Sequence, residues 1–183
     1  MKNFFNTLLT ATTCFVFVSL FMSNSLIAAQ NKTIIFVCTG NTCRSPMAEG
    51  IAKKIVDEKG LDYTIISRGT KIDPEEVVAN PKSIEVMQSQ SIDIADHESN
   101  MITEEDLKNA TLVLTMTDSH KKGLLELFPS AEPYTYTFTL TEYATDVEGD
   151  ISDPWGKEME EYIKTADQLN TLIPQAIDKF AAQ

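Results

Sequence analysis

The sequence predicts an α/β domain in which a four-stranded parallel sheet carries helices on both faces. Two observations point there. Short apolar runs alternate with longer segments whose apolar residues recur at three- and four-residue spacing, the pattern of strands joined by crossover helices. The first run, Thr33-Ile-Ile-Phe-Val37, is apolar along its length, as a central strand covered on both sides must be.

The elements follow in order from local signals. Thr33 to Val37 is the first strand. Pro46 to Lys59 is the first helix, with proline in the first turn, where its missing N–H would be unbonded anyway, and Gly60 closing the end. Tyr63 to Ser67 makes the second strand. Asn80-Pro81 is a cap and first turn for a helix that continues to about Gln90, and Thr103-Glu-Glu-Asp106 is a capping-box variant before Leu107. Thr111 to Met116 is the third strand, Ser119 to Phe128 a helix, and Tyr134 to Phe138 the fourth strand. The last helix runs from about Lys157 to Phe180. Its Met159, Tyr162, Ile163, Ala166, Leu169, Ile173, Ile177 and Phe180 share one face, and Pro174 predicts a kink. No internal repeat, low-complexity tract or linker divides the chain, so residues 30–183 read as one domain and a monomer is expected.

A chain of 183 residues is long enough for a substantial core, and its formal net charge of −12 argues against nucleic acid as a partner. Residues 1–29 read as a segment apart. They carry one cation, Lys2, no acid, and an apolar run from Cys14 to Met22 that ends near Ala28-Ala29. That is the pattern of a signal peptide cleaved near Ala29, which would make the protein periplasmic or secreted. Two other readings stay open. The run can remain as a membrane anchor, although its Thr and Ser residues make a poor span, or translation can start at Met22 and leave a cytoplasmic protein. Without residues 1–29 the chain keeps two cysteines, Cys38 and Cys43, so it has neither a disulfide framework nor a metal-ligand cluster, and neither a metal nor a cofactor is expected. In an oxidising compartment those two thiols can pair and silence a site built on either.

The chemistry gathers where the first strand ends. Cys38-Thr39-Gly40-Asn41-Thr42-Cys43-Arg44-Ser45-Pro46 can wrap a tetrahedral oxyanion, with loop and helix N–H groups turned inward, the helix dipole adding positive potential, and Arg44 offering a two-pronged donor. Gly40 allows the positive φ a tight nest needs, and Asn41 tolerates left-handed backbone. Donors and a cation around Cys38 stabilise its thiolate and make it a nucleophile beneath the bound anion, and Ser45 can donate to the sulfur. A P-loop nucleotide site is excluded, because the Gly-Lys-Ser/Thr ending is absent. Cysteine attack on phosphorus needs an acid for the leaving group. Asp146, Glu148, Asp150 and Asp153 all lie in one acidic stretch, and Pro154 biases Asp153 towards an extended conformation that projects its side chain. Trp155 is either a wall for the substrate side chain or a loop anchor. His97 and His120 read as structural, since neither has metal-site spacing.

These residues resemble the low-molecular-weight protein tyrosine phosphatase family, whose signature is the cysteine-x5-arginine loop followed by serine. The resemblance spans nearly all the chain beyond residue 29. Ser67-Arg-Gly-Thr70 is similar to the family's Ser-Ala-Gly-Thr, with Arg68 a departure; Thr111 to Thr117 with His120-Lys121 resembles its third strand and following turn; Asp153-Pro154 resembles its general-acid loop. The family implies a strand order 2-1-3-4, selects Asp153 among the four acids, and implies hydrolysis of a phosphorylated protein through a cysteinyl-phosphate with Cys38, Arg44 and Asp153 as catalytic residues. Thr39, Gly40, Asn41, Thr42, Cys43, Ser45 and Trp155 would then contact substrate. It also implies that the His97 region supports the loop through polar contacts, although Asn100 replaces a basic residue often found there. Thr42 matches the protein arginine phosphatase branch, where threonine replaces an isoleucine, whereas Trp155 suits phosphotyrosine, so both substrates stay open. Two other classes on the same fold are an arsenate reductase-like redox enzyme, which would need redox cysteines beyond Cys43, and a phosphopeptide-binding module, which would be expected to lack Cys38 or Asp153.

Overall fold

The computed structural model describes residues 32–129 and 136–183. The segment 1–29 with Cys14, and the Tyr134 start of the expected fourth strand, lie outside those residues. Strands β1 (Lys32–Cys38), β2 (Tyr63–Gly69), β3 (Leu112–Thr115) and β4 (Thr137–Thr139) form one parallel sheet in the order β2-β1-β3-β4. The fourth strand is thus later and shorter than the apolar run suggested. Thr139 ends it by capping a helix, α5 (Leu140–Thr145), in a capping box with Glu142 that the sequence reading missed.

The other helices are α1 (Arg44–Lys59), α2 (Pro81–Ser89), α3 (Glu104–Asn109), α4 (Asp118–Leu127) and α6 (Met159–Ala181). α1 starts at Arg44, two residues before the expected Pro46, so Pro46 sits in the first turn without occupying its first position. Gly60 closes α1 in the left-handed conformation, at φ 63°. Asn80 caps α2 by accepting the Lys82 N–H, and Thr103 and Asp106 close the capping box of α3. α6 begins at Met159 and continues through Pro174 to Ala181. Its buried face holds Tyr162, Ala166, Leu169, Ile173, Ile177 and Phe180, but Ile163, expected on that face, is 47% exposed.

The central strand divides the core by alternation. Ile34, Phe36 and Cys38 face a large cluster shared with α1, α2, α5 and α6, while Ile35 and Val37 face a smaller one with Leu107 of α3 and Leu124 of α4. Cys38 therefore leaves the sheet on the α1 side, with its sulfur at the start of that helix. No helix among the described residues is long and apolar enough to cross a membrane.

Candidate active site

The chain turns from β1 to β2 on one side of the sheet, and β3 lies on the other side of β1, so the loop after Cys38 opens where the strand order reverses. In open parallel sheets that crevice is where ligands bind.

The loop's peptide planes are set by what surrounds them. The carbonyl of Cys38 accepts from the Thr70 N–H at 3.0 Å, that of Thr39 from Lys71 at 3.0 Å, and that of Thr42 from Asn80 at 2.8 Å. The Asn41 carbonyl accepts from His97 Nε2 and Ser99 Oγ, both at 2.9 Å. No peptide among the described residues is cis, and in a trans peptide the N–H points opposite the carbonyl. Tying four carbonyls outward therefore turns the N–H groups of Thr39, Gly40, Thr42 and Cys43 inward, and the N-terminus of α1 adds its own unbonded donors. The result is an anion nest.

Of the two residues suited to left-handed backbone, Asn41 takes the positive φ, at 55°, and Gly40 does not. Asparagine suffices because its side chain is locked: Nδ2 donates to Ser45 Oγ and Ser67 Oγ, and Oδ1 accepts from the Asn100 N–H, all at 2.9 Å. Support from the His97 segment is thus present, through the His97 and Ser99 side chains on the Asn41 carbonyl and the Asn100 backbone on its side chain, none of which needs a basic residue at position 100. The glycine that packing demands is Gly69, where a Cβ would lie 2.7 Å from the Thr39 carbonyl oxygen.

This network also fixes a proton. Glu49 on α1 accepts the Ser67 hydroxyl, so Ser67 must accept from Asn41. Ser45 likewise accepts from Asn41, which leaves its own proton for an acceptor. Cys38 Sγ is 3.0 Å from Ser45 Oγ, closer than the alternative acceptor, the Arg68 carbonyl at 3.4 Å. Glu49 has no motif signature that would have exposed this role; only the fold brings it behind the loop.

Arg44 is buried and reaches across the crevice, donating from NH2 to Asp153 Oδ2 at 2.8 Å and from NH1 to the Ile151 carbonyl at 3.4 Å. Of the four candidate acids, Asp153 alone stands beside Arg44. Asp150 accepts the Asp118 N–H at the start of α4, Asp146 pairs with Lys179, and Glu148 lines a separate polar hollow. The cleft over the loop has a volume of about 480 Å³ and is lined by Cys38, Thr39, Gly40, Thr42, Arg44 and Asp153, with Ile72, Glu76 and Trp155 at its mouth. Trp155 is 57% exposed and both walls the cleft and anchors its loop, donating from Nε1 to Glu76 Oε2 at 3.1 Å. Asn41 and Ser45 brace the loop and do not line the cleft.

Cys43 is free, like Cys38, and buried. Burial pushes its thiol up from the usual range, against the lowering effect of Thr42, whose Oγ1 is 3.6 Å away; Tyr162 OH lies at 3.8 Å. Arg68, the departure noted above, forms a bidentate pair with Asp106 of α3 at 2.9 and 3.0 Å, which fastens β2 to that helix.

The profile of the family described as low molecular weight phosphotyrosine protein phosphatase matches residues 33–183. The chain is 41% identical over 142 residues to a protein-arginine-phosphatase of Bacillus subtilis, covering 78% of this chain and 92% of that one. It is 37% identical over 144 residues to an arsenate reductase of Staphylococcus epidermidis, covering 79% and 95%. Among solved structures, a low molecular weight protein tyrosine phosphatase from T. tengcongensis superposes with a TM-score of 0.76 at 44% identity, covering 81% of this chain and 99% of that one.

Proposed function

We propose that this chain, which belongs to the low molecular weight phosphotyrosine protein phosphatase family, hydrolyses phosphorylated protein side chains at Cys38 and that its cleft best fits phosphoarginine. The observation that carries the reaction is the convergence of Cys38, Ser45, Arg44 and Asp153 on one anion nest.

In the first step the Cys38 thiolate attacks phosphorus in line; the S–P bond forms as the bond to the leaving nitrogen or oxygen breaks, and Asp153 gives that atom a proton. In the second, Asp153 takes a proton from water, whose oxygen displaces sulfur and releases inorganic phosphate and the Cys38 thiolate. Arg44 and the inward N–H groups stabilise the equatorial oxygens throughout, and the Ser45 proton stabilises the departing thiolate. A dianion in the nest competes for Arg44, so Asp153 exchanges its ion pair for the leaving group.

The substrate reading rests on the wall of the cleft. Thr39 and Thr42 present hydroxyls, Asp73, Glu76 and Asp153 present carboxylates against the cations Lys71 and Arg44, the latter committed to the phosphate, and a guanidinium is a donor on every nitrogen. The B. subtilis relative points the same way. Phosphotyrosine is the second reading, favoured by the exposed indole of Trp155. Arsenate reduction is disfavoured because no cysteine follows Cys43 to relay electrons. The test sets phosphoarginine and phosphotyrosine peptides side by side, with Thr42→Ile as the variant. The added hydrocarbon should shift the ratio of the two kcat/KM values towards phosphotyrosine by about tenfold, within the range a methyl-sized contact commands. A ratio unmoved by the substitution would return phosphotyrosine to the lead.

A further inference from the structure

His120 takes no part in the steps above, yet both of its ring nitrogens are engaged and one partner belongs to the loop. It is buried in the first turn of α4, with Nε2 2.8 Å from Thr39 Oγ1 and Nδ1 2.9 Å from Thr117 Oγ1. Thr39 follows Cys38 directly and lines the cleft. Burial, reinforced by the charge of Arg44, pushes the imidazole down to about 4, so the ring is neutral at physiological pH. A neutral ring donates from one nitrogen and accepts at the other. Held between two hydroxyls, it therefore sets which way each hydroxyl points.

The surroundings of Thr117 admit two arrangements without moving a heavy atom: its hydroxyl gives its proton either to Nδ1, with Ser119 donating to Thr117 and Nε2–H turned to Thr39, or to Ser119. Thr117 Oγ1 accepts the backbone N–H of His120 at 3.2 Å and lies 2.8 Å from Ser119 Oγ, an exposed hydroxyl able to take the Thr117 proton. In the second arrangement Thr117 has a lone pair left for Nδ1–H. Nε2 becomes the acceptor, Thr39 gives it the proton of its hydroxyl, and only lone pairs remain on the cleft side.

We propose that His120 is a positioning residue that makes the Thr39 hydroxyl a hydrogen-bond acceptor for a guanidinium N–H of the substrate, and that Thr39 is thereby a specificity-determining contact. The inference rests on the phosphoarginine reading. A guanidinium offers donors alone, so an acceptor-only hydroxyl complements it, whereas the phenyl ring of phosphotyrosine gains nothing from that lone pair.

Two measurements test it. Nitrogen-15 NMR of the histidine rings in the purified protein should place the His120 proton on Nδ1 and leave Nε2 bare; a proton on Nε2 overturns the proposal. In kinetics with a phosphoarginine peptide and 4-nitrophenyl phosphate, Thr39→Val and His120→Phe should each lower the ratio of the peptide's kcat/KM to that of the aryl phosphate by about tenfold, the scale of one lost hydrogen bond to a charged group. Thr39→Ser should restore the ratio, and the double variant should lose no more than the worse single one. If His120→Phe does not fold, Thr39→Val decides alone. An enzyme active on phosphoarginine whose ratio ignores Thr39→Val refutes the His120–Thr39 role alone. An enzyme that cleaves phosphotyrosine and not phosphoarginine refutes the substrate reading and this inference with it.

Discussion

Replacing Asn41 by alanine and, separately, by glycine should divide the stability of the loop into its two parts. Either change removes three hydrogen bonds of a fully buried side chain, to Ser45, Ser67 and the Asn100 N–H. Each contributes about 1 kcal/mol net, more where a stranded buried donor cannot find water. Alanine must also hold the φ of 55°, which costs a residue with a Cβ about 1–2 kcal/mol and glycine almost nothing. The alanine variant should therefore lose on the order of 4–5 kcal/mol, a large share of the stability of a domain this size, and the glycine variant about 1 kcal/mol less. Urea unfolding followed by circular dichroism reads both, and kcat should fall in both, since Ser45 is no longer obliged to aim its proton at Cys38. If glycine proves as unstable as alanine, left-handed strain is not what asparagine is there to bear. If both lose under about 1 kcal/mol, the loop is held by something other than this network.

The other expectations are shorter. Asp153→Asn should slow peptide substrates with poor leaving groups far more than activated aryl phosphates, and equal losses on both would point to another acid. Peroxide should inactivate the enzyme reversibly through a Cys38–Cys43 disulfide, read by mass spectrometry; a sulfinic or sulfonic Cys38 with no bridge would show that Cys43 gives no protection. His120 is held at about 4 in the fold against about 6.5 in the unfolded chain. The unfolded state binds the proton first, so this contribution is whole above pH 6.5 and lost as pH falls to 4, by up to about 3 kcal/mol. The stability of His120→Phe should accordingly fall less steeply than that of the wild type over that window, and parallel curves would contradict the burial argument.

What could be read from the chain was whatever local chemistry dictates. β1 announced itself as an apolar run, Gly60 and Asn80 as caps, and the loop as a cysteine and an arginine five residues apart with turn-forming residues between them. α5 escaped because its six residues follow β4 without a break, and a three-residue strand leaves no period to detect. Gly40 and Asn41 both suited left-handed backbone by residue type, and the chain alone could not choose between them; positive φ falls on Asn41 because Ser45, Ser67 and Asn100 repay an asparagine with three bonds, and those partners come from three separate stretches of chain. Glu49 and Glu76 stayed hidden, and His120 was legible only as a structural histidine, for the same reason. Each reaches the Cys38 loop or the rim of its cleft only after β2, α4 and the loop around Trp155 are brought against it.

The Arg44–Asp153 pair explains why the proposed acid sits on a loop while the phosphate clamp sits on a helix. Arg44 is 5% exposed and starts α1, so its guanidinium cannot leave the nest, whereas the Asp153 side chain is 51% exposed. An ion pair with one partner so open to water contributes at most about 1 kcal/mol, too little to resist a phosphate dianion that offers the same fork two oxygens. The bond is strong enough to park Asp153 beside the reacting phosphorus and weak enough to yield when substrate arrives. Pro154 narrows the backbone of Asp153, and the Trp155 N–H holds Oδ1 at 3.2 Å, so the freed carboxyl stays at the edge of the cleft where a leaving atom must pass. Trp155 is in turn tied to Glu76 on the opposite side of the mouth, which makes the position of the acid depend on the loop between β2 and α2. Substitutions at Glu76 should therefore act on the proton-transfer step as well as on binding, a consequence that neither loop, taken alone, would suggest.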